Sequence, residues 1–111
     1  MITVNSILEV YERTGLRARQ HELYKEDVGC ACGLGALLYD IHGKNLWNVM
    51  GNVDYETDRM AELLGLDYNY AREFVAGFDG TFMARPSTDG YSDGRATWEA
   101  CKREGLVLGI S

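Results

Sequence analysis

The segment from Val28 to His42 limits the fold of this chain most, because it is apolar and rich in small residues. It reads VGCACGLGALLYDIH and contains three glycines before its leucine pair. Glycines cost a helix about 1 kcal/mol each relative to alanine, so close packing must offset them. Its helical spacing aligns four apolar residues, Leu34, Leu37, Leu38 and Ile41. The sequence therefore predicts a central buried helix, capped by Asp27, that another helix approaches closely.

The first helix is predicted from an amphipathic pattern near the start of the chain. Its apolar face consists of Val4, Ile7, Leu8 and Tyr11. Ser6 and Glu9 have the capping-box spacing, and Asn5 is an equally good cap. Gly15 is placed to end the helix in a left-handed conformation, with Leu16 folding back. Residues 16–27 fit either an exposed helix or an ordered loop.

Two further helices are predicted between residues 54 and 80. Asp54 is expected to open the first of them, with Glu56 and Asp58 in the first turn, where the helix dipole favours carboxylates. Gly65 ends this helix and Asp67 caps the next. The apolar residues of the second helix recur every fourth position, at Tyr70, Phe74 and Phe78.

The last helix is expected to start at Ser92 or Asp93 and to stop at Gly105. A surface loop containing the single proline precedes it, and the apolar tail LVLGIS is short enough for one strand over the core. With about five short helices and no linker or repeat, the fold class is all-α, a single helical domain over residues 1–111.

Charge restricts the partners that such a domain can bind. Seventeen acidic residues against eleven basic ones give a net charge of -6. This balance argues against a general electrostatic hold on nucleic acid or anionic lipid. No apolar stretch reaches the ~18 residues of a membrane helix, and Glu9 and Glu12 interrupt any signal-peptide pattern. Three cysteines, an odd number, indicate reduced thiols, so we expect a cytoplasmic protein.

Two alternatives carry more specific chemistry. The helix pair over residues 54–78 has the outline of a helix-turn-helix, whose second helix would present Tyr68, Asn69 and Arg72 to DNA. That helix offers one cation, whereas DNA-binding proteins make many phosphate contacts. A zinc or thiol site would use Cys30, Cys32 and His42, although the C-x-C spacing is shorter than that of zinc knuckles. No motif indicates a catalytic residue or a cofactor.

Two aromatic and glycine-containing pieces remain, GFDG at 77–80 and DGYSDGRATWEAC at 89–101. A GFDG turn followed by a G-Y-x-x-G helix with a tryptophan resembles short uncharacterised helical proteins of phage and bacterial genomes. The resemblance covers about a quarter of the chain. It implies a compact helical domain and no particular activity.

The remaining signal is a concentration of carboxylates around the predicted helix pair, formed by Asp54, Glu56, Asp58, Glu62 and Asp67. A surface of this kind can attract a basic partner by electrostatic steering. We therefore predict a small non-enzymatic protein, monomeric or homodimeric, that binds another protein with a basic surface. It could act as an inhibitor or as a nucleic-acid mimic. For each single carboxylate, a solvated helix start is the simpler interpretation.

Overall fold

The computed structural model describes residues 2–51 and 56–108. Its helices are α1 (Val4–Thr14), α2 (Gly33–His42), α3 (Leu46–Val49), α4 (Thr57–Leu64), α5 (Tyr68–Asp79) and α6 (Gly90–Arg103). Its strands are β1 (Arg17–Ala18), β2 (Tyr24–Lys25) and β3 (Cys30–Ala31). The protein is mostly helical, as predicted, but the strictly all-α class is wrong because residues 17–31 form a small sheet.

The sheet has the order β1-β3-β2, with β1 parallel and β2 antiparallel to β3. The C-terminal segment extends it beyond β1. The Ala18 N–H donates to the Leu106 carbonyl at 2.7 Å, and the Leu108 N–H donates to the Ala18 carbonyl at 3.0 Å. The predicted strand is thus reduced to an isolated parallel bridge between Ala18 and Val107, and residues 109–111 lie outside the described part of the chain.

Helix α2 begins at Gly33, so the predicted start after Asp27 is wrong. Residues 30 and 31 are taken into the sheet, and the Cys32 sulfur caps the helix by accepting from the Gly35 N–H at 3.4 Å. The small residues of α2 do admit a close neighbour, but it is not a helix: an added Cβ at Gly35 would lie 1.8 Å from the Leu23 carbonyl oxygen, just before β2. At Gly33 an added Cβ would lie 2.9 Å from the Phe74 ring of α5. Ile41 does not join the buried face, because 63% of it is exposed.

Helix α1 packs its predicted apolar face into the core, where Ile7 and Tyr11 are fully buried. Its cap is Thr3, whose hydroxyl accepts from the Ser6 N–H, so the predicted caps at Ser6 and Asn5 are wrong. Gly15 ends the helix with a φ of 76°, as predicted.

Helix α4 begins at Thr57, and Glu56 is its cap rather than a first-turn residue. The predicted opening residue, Asp54, lies outside the described residues. Gly65 ends α4 in the left-handed conformation, and the Asp67 carboxylate caps α5 by accepting from the Tyr70 N–H at 3.0 Å. Both of these predictions are confirmed.

Helices α5 and α6 run parallel and in close contact. An added Cβ at Gly90 would lie 2.3 Å from the Tyr70 carbonyl oxygen, and one at Gly94 would lie 2.1 Å from that of Phe74. One turn further on, the Phe78 ring meets Trp98 edge-on. Both helices therefore begin at the same end of the molecule. Residues 80–89 return along the pair to the start of α6, which lies at Gly90 rather than at the predicted Ser92 or Asp93.

Candidate interaction site at the start of two parallel helices

The returning loop is fixed to α5 by the carboxylate of Glu73. One oxygen accepts from the Ser87 backbone N–H at 2.9 Å and from its hydroxyl at 2.8 Å. The other accepts from the Thr88 N–H at 2.8 Å and from its hydroxyl at 2.7 Å. These bonds, led by that of the Thr88 hydroxyl, lower the pKa of Glu73 to about 2. We call this arrangement the Glu73 clasp.

The clasped loop forms one wall of a cleft of about 670 Å³. The residues that line it are Asp67, Tyr70, Pro86, Ser87, Thr88 and Asp89. We call it the acidic cleft, because this set contains two carboxylates and three hydroxyl groups but no basic side chain. The only aromatic ring of the set belongs to Tyr70, and the remaining apolar surface comes from Pro86.

Tyr70 is anchored at the back of the cleft by its hydroxyl group. The hydroxyl donates to the Asp93 carboxylate at 2.5 Å and accepts from the Ile2 N–H at 3.1 Å. Burial, followed by the hydrogen bond to Asp93, raises the pKa of Tyr70 to about 12. The phenol therefore stays protonated at neutral pH and serves as a fixed surface, not as a proton carrier.

The two carboxylates of the cleft occupy the starts of the two parallel helices. Asp67 caps α5, and Asp89 is the cap residue of α6 without a side-chain capping bond. Both N-terminal ends carry partial positive charge, so each carboxylate is stabilised where it lies. This stabilisation is the structural explanation for the cleft's acidity. Within residues 2–51 and 56–108, the Asp89 carboxylate forms no capping bond and no ion pair, so it can meet a cation.

Of the predicted partner-binding carboxylates, Asp67 lines the cleft, Asp58 and Glu62 lie on α4, Glu56 caps α4, and Asp54 lies outside the described residues. The four described ones already have partners within the chain. Arg72 binds the Asp58 carboxylate through two hydrogen bonds of 3.0 and 2.8 Å. Glu62 accepts from Arg59 at 3.1 Å and from the Tyr68 hydroxyl at 3.1 Å. Glu56 and Asp67 cap their helices. The acidic face is therefore less negative than the sequence implies.

The residues of the DNA-binding alternative lie together on the exposed side of α5. Tyr68, Asn69 and Arg72 are all exposed. However, the Arg72 guanidinium is bound to Asp58, and the rest of α5 is buried against α6 and the core. A phosphate would have to displace a carboxylate from the one cation that this helix offers.

The residues of the zinc alternative lie apart. Cys30 is in β3, while Cys32 and His42 lie at opposite ends of α2, which is about 15 Å long at 1.5 Å per residue. In the two described ranges, no group of three or more histidine, cysteine or acidic residues is arranged to hold a metal ion. Burial raises the pKa of the Cys30 thiol, with the nearby Arg19 opposing this shift.

Neither the Glu73 clasp nor the role of Asp89 was predicted from the sequence. Glu73 is buried although it directly follows the exposed Arg72 on α5. Its partners lie 14 and 15 residues further along the chain, so no local pattern links them. The sequence did contain a signal for the position of Asp89, because aspartate is a common residue directly before the first residue of a helix.

No helix within residues 2–51 and 56–108 has the length and apolar character needed to span a bilayer.

Comparison with known proteins identifies no relative of this chain. No family model, curated protein or solved structure matches the chain. The resemblance to short phage and bacterial helical proteins therefore stays a prediction.

Proposed function

We propose that this protein is a non-enzymatic interaction protein that binds a basic segment of another protein in its acidic cleft. The observation that carries the proposal is the composition of the cleft, where Asp67 and Asp89 face a volume of about 670 Å³ without a basic side chain in the lining. An arginine or lysine side chain of the partner would supply the missing positive charge. The protein would then act as an inhibitor or a nucleic-acid mimic for such a partner.

The chemistry of the cleft supports a cation more than any other occupant. A guanidinium or ammonium group can pair with a carboxylate while its stem packs against Tyr70 and Pro86. The hydroxyl groups of Ser87 and Thr88 already donate to Glu73, so they can only accept from a ligand, and the Thr88 oxygen already accepts from the Gly90 N–H at 3.0 Å. Acceptors and carboxylates together favour a donor-rich cation such as arginine.

The position of the cleft supports recruitment by long-range attraction. Asp67 belongs both to the cleft and to the row of carboxylates that continues along α4 through Glu62 and Asp58. With a net charge of -6, the whole molecule attracts a basic partner before contact. The internally paired carboxylates of α4 would contribute mainly to this attraction, and the cleft would contribute the specific contact.

The proposal is tested with a fluorescein-labelled hexa-arginine peptide titrated with the protein and followed by fluorescence anisotropy. The test variant is the pair Asp67→Asn and Asp89→Asn, because asparagine caps helices as well as aspartate does. We expect this variant to bind about tenfold more weakly, as charge-assisted bonds are lost in the cleft. Wild-type binding should weaken as the salt concentration rises from about 50 to about 300 mM.

A matched control removes the same charge elsewhere. Glu9→Gln with Glu12→Gln neutralises two exposed carboxylates of α1, outside the cleft. If this control weakens peptide binding as much as the cleft variant does, only net charge matters and the cleft has no specific role. Unchanged binding of the cleft variant, with an unchanged melting midpoint, would remove the cleft from the proposal.

A further inference from the structure

One stretch of the loop over residues 80–89 is fixed at its ends but not along its length. Within residues 2–51 and 56–108, no hydrogen bond or ion pair involves residues 82–86. Before this stretch, the Thr81 N–H donates to the Ala76 carbonyl at 2.9 Å, and after it, Ser87 belongs to the Glu73 clasp. The stretch is therefore held in one place while its own polar groups are open to a partner. We call residues 82–86 the open segment.

The side chains of the open segment are of the kinds that protein interfaces favour. Its sequence is FMARP, and phenylalanine, methionine and arginine are all enriched where proteins meet. Phe82 is 85% exposed, more than any other large apolar side chain in the described ranges. Covering such a ring in a contact is favourable because it removes apolar surface from water. The open segment therefore has the composition of an interface.

The open segment carries one charge, that of Arg85, which is the only charged residue among residues 80–88. Arg85 is exposed, and it directly precedes Pro86 of the acidic cleft without lining the cleft itself. The nearest carboxylates in sequence leave it unneutralised, because Asp79 is buried and Asp89 belongs to the cleft. A local positive charge thus lies beside a local negative charge on the same surface.

Opposite charges side by side make this surface complementary to itself. When two identical copies meet about a twofold axis, each presents the same patch, so each contact between the copies occurs twice. Arg85 of each copy would then pair with Asp67 and Asp89 of the other. A second copy therefore supplies the cation that the cleft lacks, and the same approach covers Phe82.

We propose that a second copy of this chain occupies the acidic cleft through Arg85, and that this dimer competes with the basic partner for the cleft. The inference rests on the proposed function, because it takes the cleft to be a cation site. Two copies of net charge -6 repel each other at long range, so the monomer prevails in dilute solution and the dimer forms when the protein is concentrated. Salt at about 150 mM screens this repulsion beyond about 8 Å and leaves the short contact in place.

Sedimentation velocity measures the dimer directly, with the protein at about 10 to about 500 µM in about 150 mM salt. The mass should rise with concentration from that of the monomer, 12.4 kDa, towards twice this value. Arg85→Gln should raise the dissociation constant of the dimer at least about tenfold, whereas Arg103→Gln, at an exposed site of α6, should change it less than about twofold. Phe82→Ser should weaken the dimer about tenfold, and Ile41→Ser, at an exposed site of α2, is its control.

The cleft variant, Asp67→Asn with Asp89→Asn, separates the proposed contact from the effect of net charge. It makes the molecule less negative, so repulsion alone predicts a tighter dimer. With Arg85 in the cleft we expect the opposite sign, a dissociation constant at least about fivefold higher. The hexa-arginine peptide should return the wild-type dimer to monomers, because the peptide and Arg85 bind the same carboxylates.

Three results would overturn the inference. These are a protein that stays monomeric over the whole concentration range, a dimer that Arg85→Gln does not weaken, and a cleft variant that dimerises more tightly. In each case, peptide binding that the cleft variant weakens would still support the proposed function. Conversely, a dimer that depends on Arg85 and on the cleft carboxylates, in a protein that does not bind the peptide, would support this inference and remove the basic partner.

Discussion

Glu73 and Tyr11 each join segments that are far apart in sequence, and each does so with one polar group. The Glu73 carboxylate accepts four hydrogen bonds from Ser87 and Thr88. The Tyr11 hydroxyl, fully buried, donates to the Ala31 carbonyl at 2.7 Å and so joins α1 to the centre of the sheet. Removing the Glu73 carboxylate takes one acceptor from four donors, whereas removing the Tyr11 hydroxyl leaves the Ala31 carbonyl with the Arg19 N–H as its donor at 3.2 Å.

The first prediction concerns the pH dependence of the Glu73 clasp. The folded-state pKa is depressed to about 2 from an ordinary value of 4.5, so its stabilisation is complete above about pH 4.5 and is lost as pH falls through 2. Glu73→Gln should therefore lower the thermal melting midpoint at pH 7, and its difference from wild type should shrink towards pH 2. Glu104→Gln, at an exposed position, serves as the control. A difference that does not change with pH would contradict the assigned clasp.

The second prediction compares a buried with an exposed tyrosine hydroxyl. Tyr11→Phe removes one of two donors to the buried Ala31 carbonyl, which still accepts from the Arg19 N–H at 3.2 Å, and we expect a loss of about 0.5–1.5 kcal/mol in the free energy of unfolding. Tyr68→Phe removes a hydroxyl that donates to Glu62 at the surface, and its effect should stay below about 0.5 kcal/mol. Urea denaturation measures both variants. Equal effects would show that the Tyr11 bond contributes nothing beyond a surface contact.

At the level of elements, the parallel pair of α5 and α6 depends on glycines that bring two helix backbones together. The third prediction uses Gly94, where an added Cβ would lie 2.1 Å from the Phe74 carbonyl oxygen. Helix propensity alone would make Gly94→Ala stabilising by about 1 kcal/mol. We expect the opposite sign, a loss of about 1–3 kcal/mol by urea denaturation, because the helices must move apart. Ala96→Gly, at an exposed site of α6, calibrates the propensity effect.

Most helices could be predicted from the sequence because their signals are local. Gly15, Gly65 and Asp67 end or start helices as expected, since capping depends on residues within one turn. The sheet was missed because its strands have two residues each, too few for a reliable period. A partial signal was present, as the alternation of charged and small residues from Arg17 to Arg19 has the period of a strand.

The candidate site was predicted less well than the helices. Asp67 was identified from its capping position and does line the cleft. Asp58 is bound by Arg72 of the next helix, which only the folded arrangement brings to it, whereas Glu62 is bound by Arg59 one turn earlier in α4, a pair that helical spacing predicts. The wall formed by Ser87 and Thr88 depends on a non-local bond to Glu73, and no sequence pattern specifies it.

At the scale of the whole molecule, the loop over residues 80–89 exposes a large apolar side chain near its start. Phe82 is 85% exposed, whereas Phe74 and Phe78 are buried. The fourth prediction is that chymotrypsin at low concentration cleaves first after Phe82. Mass spectrometry of the early fragments identifies the bond. A first cleavage at another aromatic residue would contradict the described exposure of this loop.

The pairing of Leu106 and Leu108 with Ala18 has a consequence for how the protein is made. A ribosome releases the N-terminal part of a chain first, so β1 emerges long before the segment that completes the sheet beside it. Until residues 106–108 have been synthesised, the N–H and carbonyl groups of Ala18 lack the hydrogen bonds that they later form with Leu106 and Leu108. Premature termination before residue 106 would make this condition permanent, leaving an open strand edge to which another nascent chain can add.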